Sequence, residues 1–385
     1  MNRYRRAGIA LVAPALLLVG LGLLVPLALV LAMAIRDPDM AAALPRTTVM
    51  LTAWNGAGLP PDAAFTAAGQ ELAQADAAQR IGGVAARLNF ARSGMRSLLL
   101  KTAHANLFRP TRADMTALDA RWGDAVTWRV MRQAVGPLTS LYLLRSLDFD
   151  LAPDGSIVAL PADQAIFRRL FVRTFAIAAG VTALTLLIAY PVAYTLATLR
   201  GGWAKLALAL VLIPFWTSIL VRTTAWFILL QRQGPVNAAL LGLGVVDRPA
   251  QLIFTRFAVI VAMLHALLPF AVMPIYAVMR RTDRLYLRAA ASLGASALAR
   301  FLRVYLPLTN PGVAGAALVT FMLAVGYYVT PALVGGPTDQ MVSTFIASYT
   351  NESLNFGMAA ALSTLLLALT AATVALARAA VPRRA

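Results

Sequence analysis

Apolar residues run along this chain in long stretches separated by short loops rich in arginine. A hydrocarbon layer about 30 Å thick takes roughly 20 apolar residues of helix to cross. Six stretches meet that requirement, approximately 7–35, 174–199, 206–231, 257–279, 312–334 and 356–377. Backbone groups in lipid must pair within their own segment, so each stretch is expected to be a helix. The first two are separated by a long mixed segment in which 62–80 and 84–108 carry an amphipathic helical period. Gly82, Gly83, Pro110 and Pro137 punctuate it. The pattern predicts an all-α polytopic membrane protein with six transmembrane helices and a mostly helical external insertion between helices 1 and 2. The expected divisions are a tail and first span at 1–35, a periplasmic insertion at 36–169 and a core of spans two to six at 170–385.

Charge placement sets the expected orientation. Arg3, Arg5 and Arg6 precede the first span, and Arg200 and Lys205 lie between the second and third. Arg280, Arg281, Arg284, Arg288, Arg300 and Arg303 lie between the fourth and fifth, and Arg378, Arg383 and Arg384 end the chain. Short loops rich in Lys and Arg stay cytoplasmic. Six spans put all four groups there, with both termini inside. The long segment is then external, because long domains cross largely regardless of charge. The basic start and apolar run could also be a signal peptide, but the run is longer than a typical h-region and shows no cleavage site, so an uncleaved anchor is expected.

Composition agrees. The chain is 60% hydrophobic and 13% charged, where soluble domains average about 45–50% and about 25%. The net charge of +18 suits cytoplasmic loops better than a nucleic-acid surface. Without cysteine, disulfides, zinc-thiolate sites and thiol catalysis are excluded. Outside 36–165 the only acids are Asp247, Asp283, Asp339 and Glu352. The spans therefore lack the buried carboxylates that a proton-coupled carrier usually needs.

The loop between spans four and five, RRTDRLYLRAAASLGASALARFLRVYLPLTNPG, is the most informative segment. Asp283 is a good N-cap for a helix starting at Arg284. Gly294 is placed to end that helix in a left-handed turn. Ser296 caps a second helix, which Pro307 closes. Small residues at Ala289, Ala290 and Ala291 let another backbone approach. The same loop also fits a basic interfacial helix on anionic headgroups.

Its spacing resembles the EAA motif of the membrane subunits of ABC importers, which reads Glu-Ala-Ala, three residues, Gly, nine residues, Ile-x-Leu-Pro. Ala289 and Ala290 fill the alanines, Gly294 the glycine, and Val304, Leu306 and Pro307 the closing positions. Arg288 stands where the pattern has Glu. The resemblance covers roughly 170–380 and is nearest to spermidine/putrescine-type permeases, through AYPVAYTLA (189–197), IPFWTSILVRTTAW (213–226), LPFAVMPIYAVM (268–279), LTNPG (308–312) and GYYVTPALVGG (326–336). It implies a type I ABC-importer-like fold in the bacterial inner membrane, with loop 280–308 docked on a cytoplasmic ABC ATPase dimer. It further implies a second permease subunit, a periplasmic substrate-binding protein and a polyamine or related organic cation as solute. An opine or amino-acid derivative is the alternative. Neither cofactor nor nucleic acid enters.

Path residues are expected among Trp216, Arg222, Trp226, Tyr327 and Tyr328. The aromatics either stack on a cationic amine or form an interfacial belt. Arg222, placed deep in the third span, is either a gate or a structural residue reaching for the interface. Pro191, Pro214, Pro269, Pro274 and Pro331 interrupt helices, as packing kinks or cavity borders. Asp339 and Glu352 read as solvated loop acids, and a lone His265 as a packed residue and not a metal ligand. There is no phosphate-binding loop, nucleophile elbow or HExxH helix, so ATP hydrolysis is expected in a separate subunit. An ion-coupled carrier and a membrane anchor for an external interaction domain are the competing readings.

Overall fold

The computed structural model describes residues 12–380. Arg3, Arg5, Arg6, Arg383 and Arg384, used above for orientation, lie outside them. In chain order the elements are α1 (Val12–Met33), α2 (Asp39–Ala43), α3 (Pro45–Ala53), α4 (Asp62–Ala77), α5 (Ile81–Ala91), α6 (Met95–Ala105), α7 (Arg112–Leu118), α8 (Ala125–Gln133) and α9 (Leu141–Ser146). A hairpin of β1 (Phe149–Leu151) and β2 (Ile157–Ala159) follows. Then come α10 (Phe167–Thr198), α11 (Gly202–Trp216), α12 (Ile219–Leu229), α13 (Pro235–Gly242), α14 (Arg256–Arg281) and α15 (Leu285–Ser292). The chain ends with α16 (Ala297–Val325), α17 (Val329–Val334), α18 (Val342–Asn351) and α19 (Phe356–Ala380).

The protein is a mostly helical, polytopic chain. Among the described residues five helices, α1, α10, α14, α16 and α19, are long and apolar enough to cross a membrane, and the pair α11–α12 makes six if counted as one span. Two expected spans differ in form. The third is not one rod, because α11 and α12 meet at 98°. Thr217 and Ser218, both extended, break it. The fifth does not begin at Gly312. It starts at Ala297 and runs unbroken to Val325, and α17 is a separate short helix.

The chain divides into two compact units. The first runs through Arg168 and includes Ile346–Leu366. Its core holds Phe65, Leu72, Leu88, Leu98, Trp122 and Trp128, all fully buried. Phe65 and Trp122 each meet Trp128, with ring centroids 4.5 and 5.1 Å apart. Both indole N–H groups are satisfied: Trp122 donates to the Thr102 hydroxyl and Trp128 to the Trp122 carbonyl, each at 2.9 Å. Local capping fixes the helices. Buried Glu71 accepts from the backbone N–H of Arg46 (2.7 Å) and Thr47 (2.9 Å), filling the first turn of α3. Thr111 and Asp114 form a reciprocal capping box on α7.

Three features of this unit differ from the expectation. The run 84–108 is two helices, because Gly94 adopts φ +89° and turns the chain between α5 and α6. Gly82 and Gly83 lie inside α5 instead of breaking the chain. The β-hairpin, with Asp150 opposite Val158, is an addition to a segment expected to be helical.

The segment between α1 and α10 is tied to helix ends on either side. Asp148 is buried and accepts from the backbone N–H of Phe167 and Arg168, each at 2.8 Å. A carboxylate there satisfies the first donors of α10 and complements its dipole. Asp37, just past α1, receives the Arg87 Nε at 2.7 Å, with both side chains buried. Burial pushes the Asp37 carboxyl up, against the opposing pull of Arg87. Arg87 sits over the Tyr142 ring, 5.6 Å from its centroid. A Cβ at Gly357, in the first turn of α19, would lie 2.4 Å from that ring, so only glycine lets α19 and Tyr142 meet so closely.

The second unit is Arg169–Phe345 with the chain after Leu366. Its centre is the crossing of α14 and α16. A Cβ at Gly312 would lie 3.0 Å from the Val278 Cβ and 3.1 Å from the Ile275 Cα and Pro274 carbonyl oxygen. Small residues allow such close backbone approach, which is how helices associate where lipid removes the hydrophobic drive. Ala189, Ala193, Ala271 and Ala316 continue this small-residue packing.

Gly312→Leu forces α14 and α16 apart and costs about 1–3 kcal/mol, read as a lower melting temperature of the purified chain in detergent. The Arg121 guanidinium holds the Asp119 carboxyl well below the usual carboxylate range, through bonds of 2.8 and 2.9 Å. A carboxyl with a depressed folded-state pKa adds stability above its unfolded value of about 4 and withdraws it as the pH falls. Asp119→Asn therefore flattens the acid side of the pH–stability curve, and lowers stability at pH 7 by less than about 1 kcal/mol because Arg121 is partly solvated.

Candidate functional site

The loop after α14 is a helical hairpin. Asp283 accepts from the Leu285 N–H at 2.8 Å and so starts α15. The helix begins at Leu285 with Arg284 as the flanking residue, one position later than expected. Its far end is a Schellman turn. The Gly294 N–H donates to Ala291 and the Ala295 N–H to Ala290, each at 3.0 Å, with Gly294 at φ +81°. Ser296 then accepts from the Ala299 N–H at 3.3 Å and opens α16.

Pro307 does not close the second helix. It falls in the first turn after a π-helical turn, Phe301–Tyr305, and α16 continues past it and past Pro311. A proline in a helix removes one i→i−4 bond and crowds the preceding turn. The wide turn relieves this: the Leu306 N–H donates to the Phe301 carbonyl, five residues back. The hairpin is thereby a direct extension of the long helix.

Arg288 and Ala289 are exposed, Ala290 is half-buried, and Val304, Leu306 and Pro307 are half-buried at the π-turn. Four aromatics fix this end of α16 to α10. Tyr305 meets Tyr194 at 5.5 Å and Phe301 at 6.1 Å, and Tyr190 meets Phe301 at 6.0 Å. The Tyr190 and Thr309 hydroxyls are 2.9 Å apart. Sequence reasoning missed these residues. The signal was there as two i,i+4 aromatic pairs, 190/194 and 301/305.

A polar cluster lies where α12, α14 and α17 meet. The Trp226 indole donates to the His265 Nδ1 at 3.1 Å, and the Thr223 and Thr330 hydroxyls are 3.1 Å apart. Tyr327 lies within electrostatic reach of Arg222 and Thr330. The guanidinium of Arg222 donates to the Pro214 carbonyl, and to the Thr217 carbonyl at 2.9 Å. Those carbonyls end α11, so Arg222 caps the helix on the other side of the bend. It is not deep in a continuous span, because the bend restarts the helix at Ile219.

Of the expected path residues, the structure brings Arg222, Trp226 and Tyr327 together. Trp216 stands apart at the end of α11, 83% exposed against Phe215. Tyr328 is exposed at the N-cap of α17. Thr223, His265 and Thr330 join without having been singled out as path residues. Asp339 is not a solvated loop acid. It is buried and receives the Arg256 Nε at 3.0 Å, since the bend at Gly335 and Gly336 folds it under the start of α14. Glu352 is exposed and accepts from Ser348 at 2.7 Å.

Gly294→Val places a β-branched residue at a positive φ, at a cost of about 1–3 kcal/mol. The hairpin then opens more often, and tryptic cleavage after Arg288 and Arg300 in the purified chain speeds up several-fold at unchanged cleavage elsewhere.

Comparison with known proteins places these features in a family. A profile described as "Binding-protein-dependent transport system inner membrane component" matches residues 164–385. The chain is similar to the spermidine/putrescine transport system permease protein PotB of Escherichia coli (strain K12), 39% identical over 43% of this chain and 60% of that protein. It is also similar to PotB of Haemophilus influenzae (strain ATCC 51907 / DSM 11121 / KW20 / Rd), 35% identical over 47% of this chain and 64% of that one. The match thus spans less than two thirds of either relative. The crystal structure of a bacterial alginate ABC transporter with pentasaccharide-bound periplasmic protein aligns at 21% identity and a TM-score of 0.46, covering 55% of this chain and 76% of that chain. Because the matched stretch takes in more than half the chain, including α10 to α19 and the hairpin between α14 and α16, the chain belongs to the family of binding-protein-dependent transport system inner membrane components.

Proposed function

We propose that this chain is the permease subunit of an ATP-driven ABC importer in the bacterial inner membrane, moving a small solute by alternating access. The observation that carries the reading is the hairpin, in which α15, the Gly294 turn and the start of α16 run directly into a membrane-length helix. A force on α15 is therefore delivered into the span. Asp283, Ala289, Ala290, Gly294, Val304, Leu306 and Pro307 shape that piece, and Arg288 lies on its exposed surface. ATP hydrolysis belongs to a separate cytoplasmic ATPase dimer. A second permease subunit completes the pathway, and a periplasmic binding protein delivers solute. Both termini and loop 280–308 are cytoplasmic, 36–169 is a periplasmic insertion, and 170–385 is the core.

The proposed solute is a polyamine or related organic cation, on the similarity to the two PotB permeases. Trp226 and Tyr327 offer aromatic faces to a cation. The Arg222 charge is occupied by backbone carbonyls, so it acts on the helix bend and not on the solute.

Deleting 289–294 leaves the chain inserted but abolishes co-purification of ATPase activity and uptake of labelled spermidine and putrescine in cells. Retained co-purification and uptake refute the permease reading. Uptake by the unaltered chain of another solute class in place of spermidine and putrescine, in a panel including opines and amino-acid derivatives, refutes only the polyamine assignment.

A further inference from the structure

The turn from α10 to α11 is short. Thr198 ends the first helix and Gly202 begins the second, with Gly201 at φ +67° between them. Next to this turn lies a groove of about 270 Å³. Pro191, Val192, Thr195 and Leu196 of α10 line it on one side, and Ala207 and Val211 of α11 on the other. The Thr195 hydroxyl donates to the Pro191 carbonyl at 2.9 Å. The lining side chains therefore offer no free polar group to a water molecule or a polar solute, and such a surface takes an apolar occupant.

The depth of the groove matches one leaflet of a bilayer. Pro191 lies seven residues from the end of α10 and Val211 nine residues from the start of α11, about 10 and 13 Å at the rise of a helix. Half of a hydrocarbon layer is about 15 Å. The turn itself has the chemistry of the headgroup level. Arg200, Trp203 and Lys205 are all exposed, Trp203 at 73%. Among the described residues neither cation has a carboxylate within ion-pair distance. The first turn of α11 has no side-chain cap, so its positive end adds to their charge. Trp203, Leu206 and Leu210 continue down α11 as an exposed apolar stripe beside Ala207 and Val211.

We infer that this groove is a binding site for an anionic phospholipid, with an acyl chain between α10 and α11 and the phosphate at Arg200 and Lys205. Basic pockets between membrane helices hold anionic headgroups in this way, and an indole at the same level suits the interface. A helix of another protein would also cover an apolar groove, but it would leave the two cations at the rim unanswered. A phospholipid supplies the apolar and the anionic part in one molecule. The site needs only that α10 and α11 cross a bilayer, so it stands or falls apart from the permease reading.

The chain has no cysteine, so a single introduced one reports on a single place. Leu210→Cys carries a bimane label beside the groove, and Leu187→Cys carries it on α10 at a position 71% exposed and outside the lining. The tagged chain is extracted with its complex from its own cells, labelled, and placed in vesicles of equal phosphatidylglycerol and phosphatidylcholine, with one of the two brominated in its acyl chains. The complex of the cysteine-free chain, labelled in parallel, supplies the background. At position 210 brominated phosphatidylglycerol is favoured over brominated phosphatidylcholine by at least about fivefold in relative association, as two cations near a headgroup warrant. At position 187 the two lipids quench alike. Arg200→Gln/Lys205→Gln removes the preference at 210, and Ala207→Phe, which fills the groove, removes it as well. Arg248→Gln, an exposed residue of another loop, leaves it intact. Unchanged quenching at 187 in each variant shows that the chain is still inserted and folded. Equal quenching by the two lipids at 210 in the unaltered groove overturns the inference. So does a preference that survives Ala207→Phe or the double variant, or one that Arg248→Gln removes equally. Weak quenching by both lipids at 210 beside strong quenching at 187 means that protein covers the groove, and overturns it too.

Discussion

Every backbone N–H and C=O within an apolar stretch of this chain needs a partner in the chain, because hydrocarbon supplies none and an unpaired group costs several kcal/mol. That requirement makes the long segments helical. It also explains what stands at two of the places where they depart from a regular helix. At the bend between α11 and α12 the freed carbonyls of Pro214 and Thr217 are taken by Arg222. A hydrogen bond from a charged donor is worth about 1.5–3 kcal/mol, and the guanidinium also complements the negative end of α11. Before Pro307 the missing bond is absorbed by a π-turn and not by a break.

These two repairs have opposite mechanical results. The bend uncouples α11 from α12 in direction, so α12 can lean on α14 and α17 and build the Trp226–His265 and Thr223–Thr330 contacts. The π-turn keeps the hairpin in line with α16. The Tyr190, Tyr194, Phe301 and Tyr305 rings then hold that junction against α10, and Gly312 lets α16 sit almost backbone to backbone on α14.

The segment between α1 and α10 obeys a different rule. It has an aqueous-type core of Phe65, Trp122 and Trp128, ordinary helix caps and several ion pairs. Its most informative residues are at its borders. Asp148 holds the first turn of α10, the Asp37–Arg87 pair lies just past α1, and Tyr142 packs on Gly357 at the start of α19. The segment therefore joins helix ends as well as folding on its own core.

Much of this was legible in the chain alone. Hydropathy marked the membrane-length helices, since length and apolarity are additive along the sequence. Asp283, Gly294 and Ser296 announced the hairpin, because caps and left-handed turns are decided by the residue itself and its immediate neighbours. Tertiary structure decided what depends on partners far away in sequence. A run of apolar residues at 206–231 reads the same whether straight or bent by 98°, and it is the bent form that lets Thr223 and Trp226 meet Thr330 and His265. Pro307 looked like a terminator, because a proline's cost is local while its relief, through the turn before it and the packing around Tyr305, is not. Asp339 looked solvated, and Arg256, 83 residues away, showed otherwise. Local sequence fixes which conformations are cheap; the close approach of distant backbone and the satisfaction of buried charge choose among them.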